Sequence, residues 1–155
     1  PQQEHRLTSQ SKYWLEHSKR QDYDGIVFEP MQEIEGHYNL WQGFHVKPKQ
    51  GSWDRMKLHI EQVIADGNLE RAEYIKAWVA HLLQFPNKKI STELVLKGGQ
   101  GTGKNLFVDA VGYLLGQHYM AITQTSHIAG KFNAHLKDKI LIFLNEATWG
   151  GDKQA

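Results

Sequence analysis

Eight consecutive residues constrain this chain more than any other part of it: Gly98-Gly99-Gln100-Gly101-Thr102-Gly103-Lys104-Asn105. They fit the phosphate-loop pattern G-x-x-x-x-G-K, with Asn105 where Ser or Thr is usual. Glycines in such a run let successive backbone N–H groups turn inward and form a concave anion nest. A helix beginning just behind the loop adds partial positive charge at its N-terminus. Lys104 is then placed to reach the β- and γ-phosphates of a nucleoside triphosphate. All eight residues are candidate ligand-binding positions.

The pattern is short, so its flanks decide how it reads. Before it, Glu93-Leu94-Val95-Leu96-Lys97 has the length and composition of a short strand. After it, Leu106, Phe107, Ala110, Val111, Leu114 and Leu115 recur at helical spacing, and Gly116 suits a helix C-terminus. Strand, glycine loop and helix follow in the order that a phosphate loop needs.

Binding phosphate is not hydrolysing it. Hydrolysis needs a carboxylate that orients or deprotonates water, and oxygen ligands for Mg²⁺. In doubly wound sheets these groups sit at the carboxyl ends of strands. Ile140 to Leu144 is an apolar run that reads as a buried parallel strand, and it ends in Asn145 and Glu146. Glu146 is the candidate catalytic base beside Lys104, and Asn105, Asn145 and Glu146 are the candidate Mg²⁺ ligands. The two asparagines bring a carbonyl oxygen but no charge.

Three regions are expected. Residues 1–50 form the end of an aromatic-rich α+β region, with a helix over 5–20, a strand at Ile26-Val27-Phe28 and an extended, hairpin-like stretch over 36–46. Residues 51–90 form a helical pair. Ser52 caps the first helix, with Trp53, Met56, Ile60, Val63 and Ile64 inward, and Asp66-Gly67 ends it. Asn68 caps the second, with Leu69, Ala72, Ile75, Trp78, Val79, Leu82 and Leu83 inward until Phe85-Pro86. Residues 91–155 form the first part of a P-loop ATPase core, with a further strand at Tyr119–Ile122 and a short helix over 126–136. The fold class is α/β, a P-loop NTPase (AAA+-like) parallel sheet, incomplete, preceded by a small helical region. The chain lacks an initial Met and reads as a segment of a longer protein.

Composition excludes several classes. There is no Cys, hence no disulfide framework and no thiolate metal site. No apolar run has the length of a membrane span, and the N-terminus lacks a signal-peptide core, so a cytoplasmic location is expected. Residues 1–75 hold nine Lys/Arg against twelve Asp/Glu, and residues 76–155 nine against five. The second half is therefore the side suited to a polyanion.

The segments GGQGTGKN, GKFNAHLKDK and ILIFLNEATWGGDK, with YDGIVFEP, YNLWQGF and WVAHLLQFP upstream, resemble the superfamily 3 helicase domain of phage, plasmid and poxvirus-type primase-helicases. The resemblance runs from about Tyr13 to Lys153. It implies an AAA+ core, ATP hydrolysis with Mg²⁺, a homo-hexameric ring and movement along single-stranded DNA in replication. Lys104 takes the place of the P-loop lysine and Glu146 that of the second acidic residue of the Walker B strand. The sensor strand, DNA-contacting loop and arginine finger of that family lie beyond the residues matched.

Two other functions compete. One is a nucleotide-binding switch or assembly module without unwinding activity. The other is a small-molecule kinase, against which stands the lack of any Arg in residues 117–155. Tyr13, Tyr23, Tyr38, Tyr74 and the tryptophans are the residues a base could stack on, although Trp53, Trp78 and the pair Trp41 and Phe44 read better as core. Lys131, Lys137 and Lys139 are available for DNA phosphates. His59 and His81 lack metal-ligand spacing.

Overall fold

A computed structural model describes residues 9–123 and 134–145. Helix α1 spans Gln10–Glu16, with Ser9 accepting from the Lys12 N–H; it ends four residues before the expected limit of 20, and residues 5–8 of that expectation lie outside the described residues. Strands β1 (Gly25–Val27) and β2 (His37–Asn39) pair in parallel, Gly25 opposite His37, so the stretch over 36–46 is not a hairpin. The reason is a tie between residues ten apart in sequence. The Asn39 side chain donates to the carbonyls of Glu29 and Gln32 and accepts from the N–H of Glu29 and Trp41. That ties off the intervening loop and sends the following residues across the molecule.

Helix α2 (Asp54–His59) runs into a π-helical turn, Ile60–Ile64, which the Ala65 N–H closes on the Ile60 carbonyl at 2.8 Å. Trp53 precedes the first helical residue and is 53% exposed, and Val63 is exposed too, so neither belongs to the core as expected. The wide turn breaks the 3.6-residue period on which that reading rests. Asp66 and Gly67, both at positive φ, make the elbow into helix α3 (Leu69–Gln84). Asn68 caps α3 as expected, its Oδ1 2.9 Å from the Arg71 N–H, while Leu69 lies outside the core. Lys76 of α3 donates to Glu61 of the π turn at 3.0 Å and to Glu73 at 2.6 Å. Hydrogen bonds to Glu73 and then Glu61 hold its ammonium above the usual lysine range.

Residues 93–97 join no sheet, which corrects the expected strand. The segment just before them, Lys88 to Thr92, is tethered instead to one stripe of α3. Tyr74 Oη donates to Thr92 Oγ1, Trp78 Nε1 donates to the Thr92 carbonyl, and His81 Nε2 meets the Lys88 carbonyl. Leu94 and Leu96 pack on the core and Val95 points to solvent, so the alternation of a strand survives without its ladder.

Helix α4 (Lys104–Leu115) buries Phe107, Val108, Val111 and Leu115 against Ile60, Ala65, Ala72, Ile75 and Leu82, which makes the core. Leu106 is exposed, contrary to the periodic reading. A 3₁₀ turn, Gly116–His118, leads into β3 (Tyr119–Ile122). A second, Ala134–Leu136, precedes β4 (Leu141–Leu144), and β3 and β4 pair in parallel from Tyr119 opposite Leu141 to Ile122 opposite Leu144. The strand expected over 140–144 is thus parallel, but it is only half buried, with Ile142 and Leu144 on its open face.

Tyr119 lies flat on the one glycine of α4 that can receive it: a Cβ on Gly112 would meet the ring at 2.5 Å. The Tyr119 hydroxyl is buried and has no hydrogen-bond partner among the described residues. Burial, then the charge of Asp109, raises its pKa above 10.0. An unpaired buried hydroxyl carries a desolvation cost that its removal relieves. Tyr119→Phe is therefore expected to be neutral or to stabilise by up to ~1 kcal/mol in chemical denaturation. A raised tyrosine pKa adds stability present below the unfolded value and lost as pH climbs through the folded one. The Phe variant should lack that alkaline loss.

Candidate phosphate-binding site

The glycine loop closes on itself. Thr102 Oγ1 donates to the Gly99 carbonyl at 2.9 Å. Lys104 Nζ reaches the carbonyls of Gly98 (2.8 Å) and Gly99 (2.6 Å) and Thr102 Oγ1 (3.1 Å). The ammonium therefore sits in the mouth of the loop, surrounded by oxygen. Gly101 (φ +76°) and Gly103 (φ +83°) supply the left-handed conformations that turn the loop back into α4. The N–H groups of Gly101, Thr102 and Gly103 have no acceptor among the described residues. No side chain caps the N-terminus of α4, and its first turn holds no acidic residue. The helix dipole and the lysine thus present positive potential that no acidic residue in the helix's own first turn offsets.

A cleft of about 910 Å³ opens from the loop. Gly98, Thr102 and Lys104 form one end, and Leu94 and Leu96 with Ile64 and Ile75 give it apolar walls. Arg71, Tyr74 and Lys97 line it as well, with Asp66 and Glu70. About half of its lining is polar, with charged groups of both signs.

The structure thus brings Gly98 through Lys104 together as one loop. Gln100 is exposed on it, and Asn105 is exposed in the first turn of α4. Asn145 follows β4 and donates its N–H to the Ile122 carbonyl at 2.9 Å, at the carboxyl end of both strands. Glu146 and Lys131 lie outside the described residues. Among the described residues, no group of three His, Asp or Glu is placed to hold a metal ion. Lys137 Nζ donates to the Ile26 carbonyl, and Lys139 Nζ to the Gln117 carbonyl and Asp138, so both are engaged within the fold. Phe44 packs against the core as read from the sequence, while Trp41 stacks on His118 and meets Phe44 edge-on.

Two histidines escaped the sequence reading. His59 Nε2 lies 3.0 Å from the Gly103 carbonyl, and His118 is fully buried. Neither belongs to a motif, and each acts on residues distant in the chain.

Residues 96–155 match DUF5906, a family of unknown function. A 71-residue stretch, 46% of the chain, is 28% identical to the DNA primase-polymerase of Nitratiruptor phage NrS-1 and covers 10% of it. The apo structure of the NrS-1 C-terminal region (305–718) is similar over 79% of this chain and 31% of that one, at 24% identity and a TM-score of 0.66. The chain therefore shares the fold of part of that region, and it spans about a tenth of the curated relative and under a third of the solved one. No helix among the described residues is long and apolar enough to cross a membrane.

Gly103 is the position where the loop tolerates least. A Cβ there would meet His59 Cε1 at 2.6 Å, at a φ that L-residues rarely adopt. Gly103→Ala is expected to lower stability by about 1–3 kcal/mol, from strain and displacement of the imidazole. Denaturant titration measures it, and an unchanged midpoint would mean that the loop relaxes freely.

Proposed function

We propose that this chain carries the nucleoside triphosphate site of a phage replication protein. The observation that carries the reading is the closed glycine loop, with Lys104 Nζ held in its mouth at the uncapped N-terminus of α4. Incoming phosphate oxygens would take the ammonium from the Gly98 and Gly99 carbonyls, exchanging neutral acceptors for charged ones, which make hydrogen bonds about twice as strong. The adjoining cleft has room for the nucleoside. The replication context comes from the similarity to the NrS-1 primase-polymerase.

In the finer form of this reading, the ligand is ATP and the parent protein is a DNA-dependent ATPase of the superfamily 3 helicase type, with an AAA+-like P-loop core. It acts as a homo-hexamer on single-stranded DNA in the host cytoplasm. Mg²⁺ would neutralise charge developing on the phosphates, and the carbonyl oxygens of Asn105 and Asn145 with the Glu146 carboxylate are the donors this chain offers it. Asn105 suits that role, being exposed one residue beyond Lys104. Glu146 would orient and deprotonate water.

Lys104→Ala removes charge-assisted contacts worth about 1.5–3 kcal/mol each. Calorimetry should find ATP bound at least ~10-fold more weakly. Equal affinity for variant and parent would sink the assignment.

Glu146→Gln keeps the side-chain shape and removes the charge. In the full-length protein ATP should still bind, while turnover falls about 10²-fold or more, the scale of general-base catalysis. Unchanged turnover would make this glutamate a bystander. An ATPase that single-stranded DNA does not stimulate would favour the nucleotide switch over the motor.

A further inference from the structure

We propose that His59 is a positioning residue for the phosphate site: its imidazole holds the Gly103 carbonyl and thereby aims the backbone N–H of Lys104 into the loop. This rests on the phosphate-binding reading of the loop and adds to it a part that lies 44 residues away in sequence.

The argument begins with the peptide bond. The Gly103 carbonyl and the Lys104 N–H belong to one planar trans unit, so they point in opposite directions. His59 Nε2 stands 3.0 Å from that carbonyl on the α2 side. A carbonyl drawn toward His59 sends the N–H away from it. The same oxygen also accepts the opening bond of α4 from the Phe107 N–H, a long one at 3.3 Å. His59 supplies the shorter bond. Because a carbonyl can only accept, Nε2 carries the proton and donates.

The ring also fixes the loop by contact. It lies so close to Gly103 that a Cβ would sit 2.6 Å from Cε1, and Val63 Cγ1 closes on the same point at 3.7 Å. His59 and Val63 flank the start of the π-helical turn, whose opening residue Ile60 is buried. Such turns are rare and recur at functional sites. Here the wide turn keeps two side chains on the loop while Glu61, on its other side, pairs with Lys76 of α3. The brace is anchored on the core; Val63 also borders the cleft, whereas His59 is not among the residues that line it.

The test uses the intact chain with ATP and with inorganic tripolyphosphate, which carries phosphates alone. One neutral hydrogen bond is at stake, so His59→Ala should weaken both ligands about three- to tenfold and by the same factor. His59→Gln, whose amide N–H reaches to the same place, should restore affinity to within about twofold of the parent. Unchanged binding in His59→Ala, a loss confined to ATP, or a folded Gln variant no better than Ala would overturn the proposal. The parent alone gives a second readout. Imidazole ¹⁵N shifts should report the Nε2–H tautomer of His59, and the Nδ1–H tautomer would overturn the proposal. A parent that binds neither ligand overturns the phosphate-site reading and this inference with it. A parent weakened by Lys104→Ala but not by His59→Ala overturns this inference alone.

Discussion

His118 joins the two ends of the described chain, and the fold hangs on the way it does so. Its side chain is wholly out of water, yet both ring nitrogens are satisfied. The Gln42 N–H donates to Nε2 at 3.2 Å, which leaves the proton on Nδ1 for the Asp138 carbonyl at 2.8 Å. Trp41 stacks on one side at 4.6 Å and Phe28 leans in at 5.3 Å. A buried polar ring is tolerable only when every hydrogen-bonding site is used, so the strap from Phe28 to Phe44 and the turn before β4 are both needed to keep this one in place. The His118 carbonyl in turn accepts from the Ile140 N–H at 2.7 Å, just ahead of the first β3–β4 pair. One residue thus docks the aromatic strap and sets the strand register, and that register carries Asn145 to the carboxyl end of the sheet.

The loop end works in the opposite way. Where His118 uses all its hydrogen bonds, the loop leaves several N–H groups without acceptors and compensates by filling its mouth with its own cation. Three oxygens around Lys104 Nζ hold the side chain in one place before any ligand arrives. Ordering a lysine costs side-chain entropy, about 1.5–2 kcal/mol when fully fixed. On the proposed reading, that cost falls on the free state and a phosphate would meet a prepared group. The same bonds oblige the ligand to displace them, which limits the stabilisation to the difference between charged and neutral acceptors.

The elements legible in the sequence are those whose causes are local. Asn68 capping α3, the Asp66-Gly67 elbow, the helix after the glycine loop and the strands near 119 and 141 all follow from propensity, spacing and punctuation. Failures arise where distant residues decide. Leu94 and Leu96 alternate as a strand does, but Tyr74, Trp78 and His81 claim the preceding segment for α3 and leave it without a ladder. Val63 fits an α-helical stripe until the π turn changes the period. The extended run after Gly36 pairs in parallel with β1 because the Asn39 amide ties the loop between them, which no short-range pattern announces. For the site, the loop and its lysine are readable as a motif. His59 is not, since its partner is chosen by how the helical pair folds over the loop.

The positive balance of the second half also changes meaning in three dimensions. Lys137 is held by the Ile26 carbonyl, and Lys139, 12% exposed, by Asp138 and the Gln117 carbonyl. Freeing Lys139 for a DNA phosphate would strand a partly buried carboxylate and an unpaired carbonyl, a penalty large enough to offset the new ion pair. Lys97, Lys104 and Arg71 instead gather around the cleft beside the loop. Of the second half's described cations, Lys137 and Lys139 are tethers that hold the fold, while Lys97 and Lys104 border the cleft, where Arg71 of the first half and the carboxylates of Asp66 and Glu70 also stand. On the proposed reading of the loop, Lys97 and Lys104 are the part of the second half's positive charge that the phosphates of a nucleotide would meet.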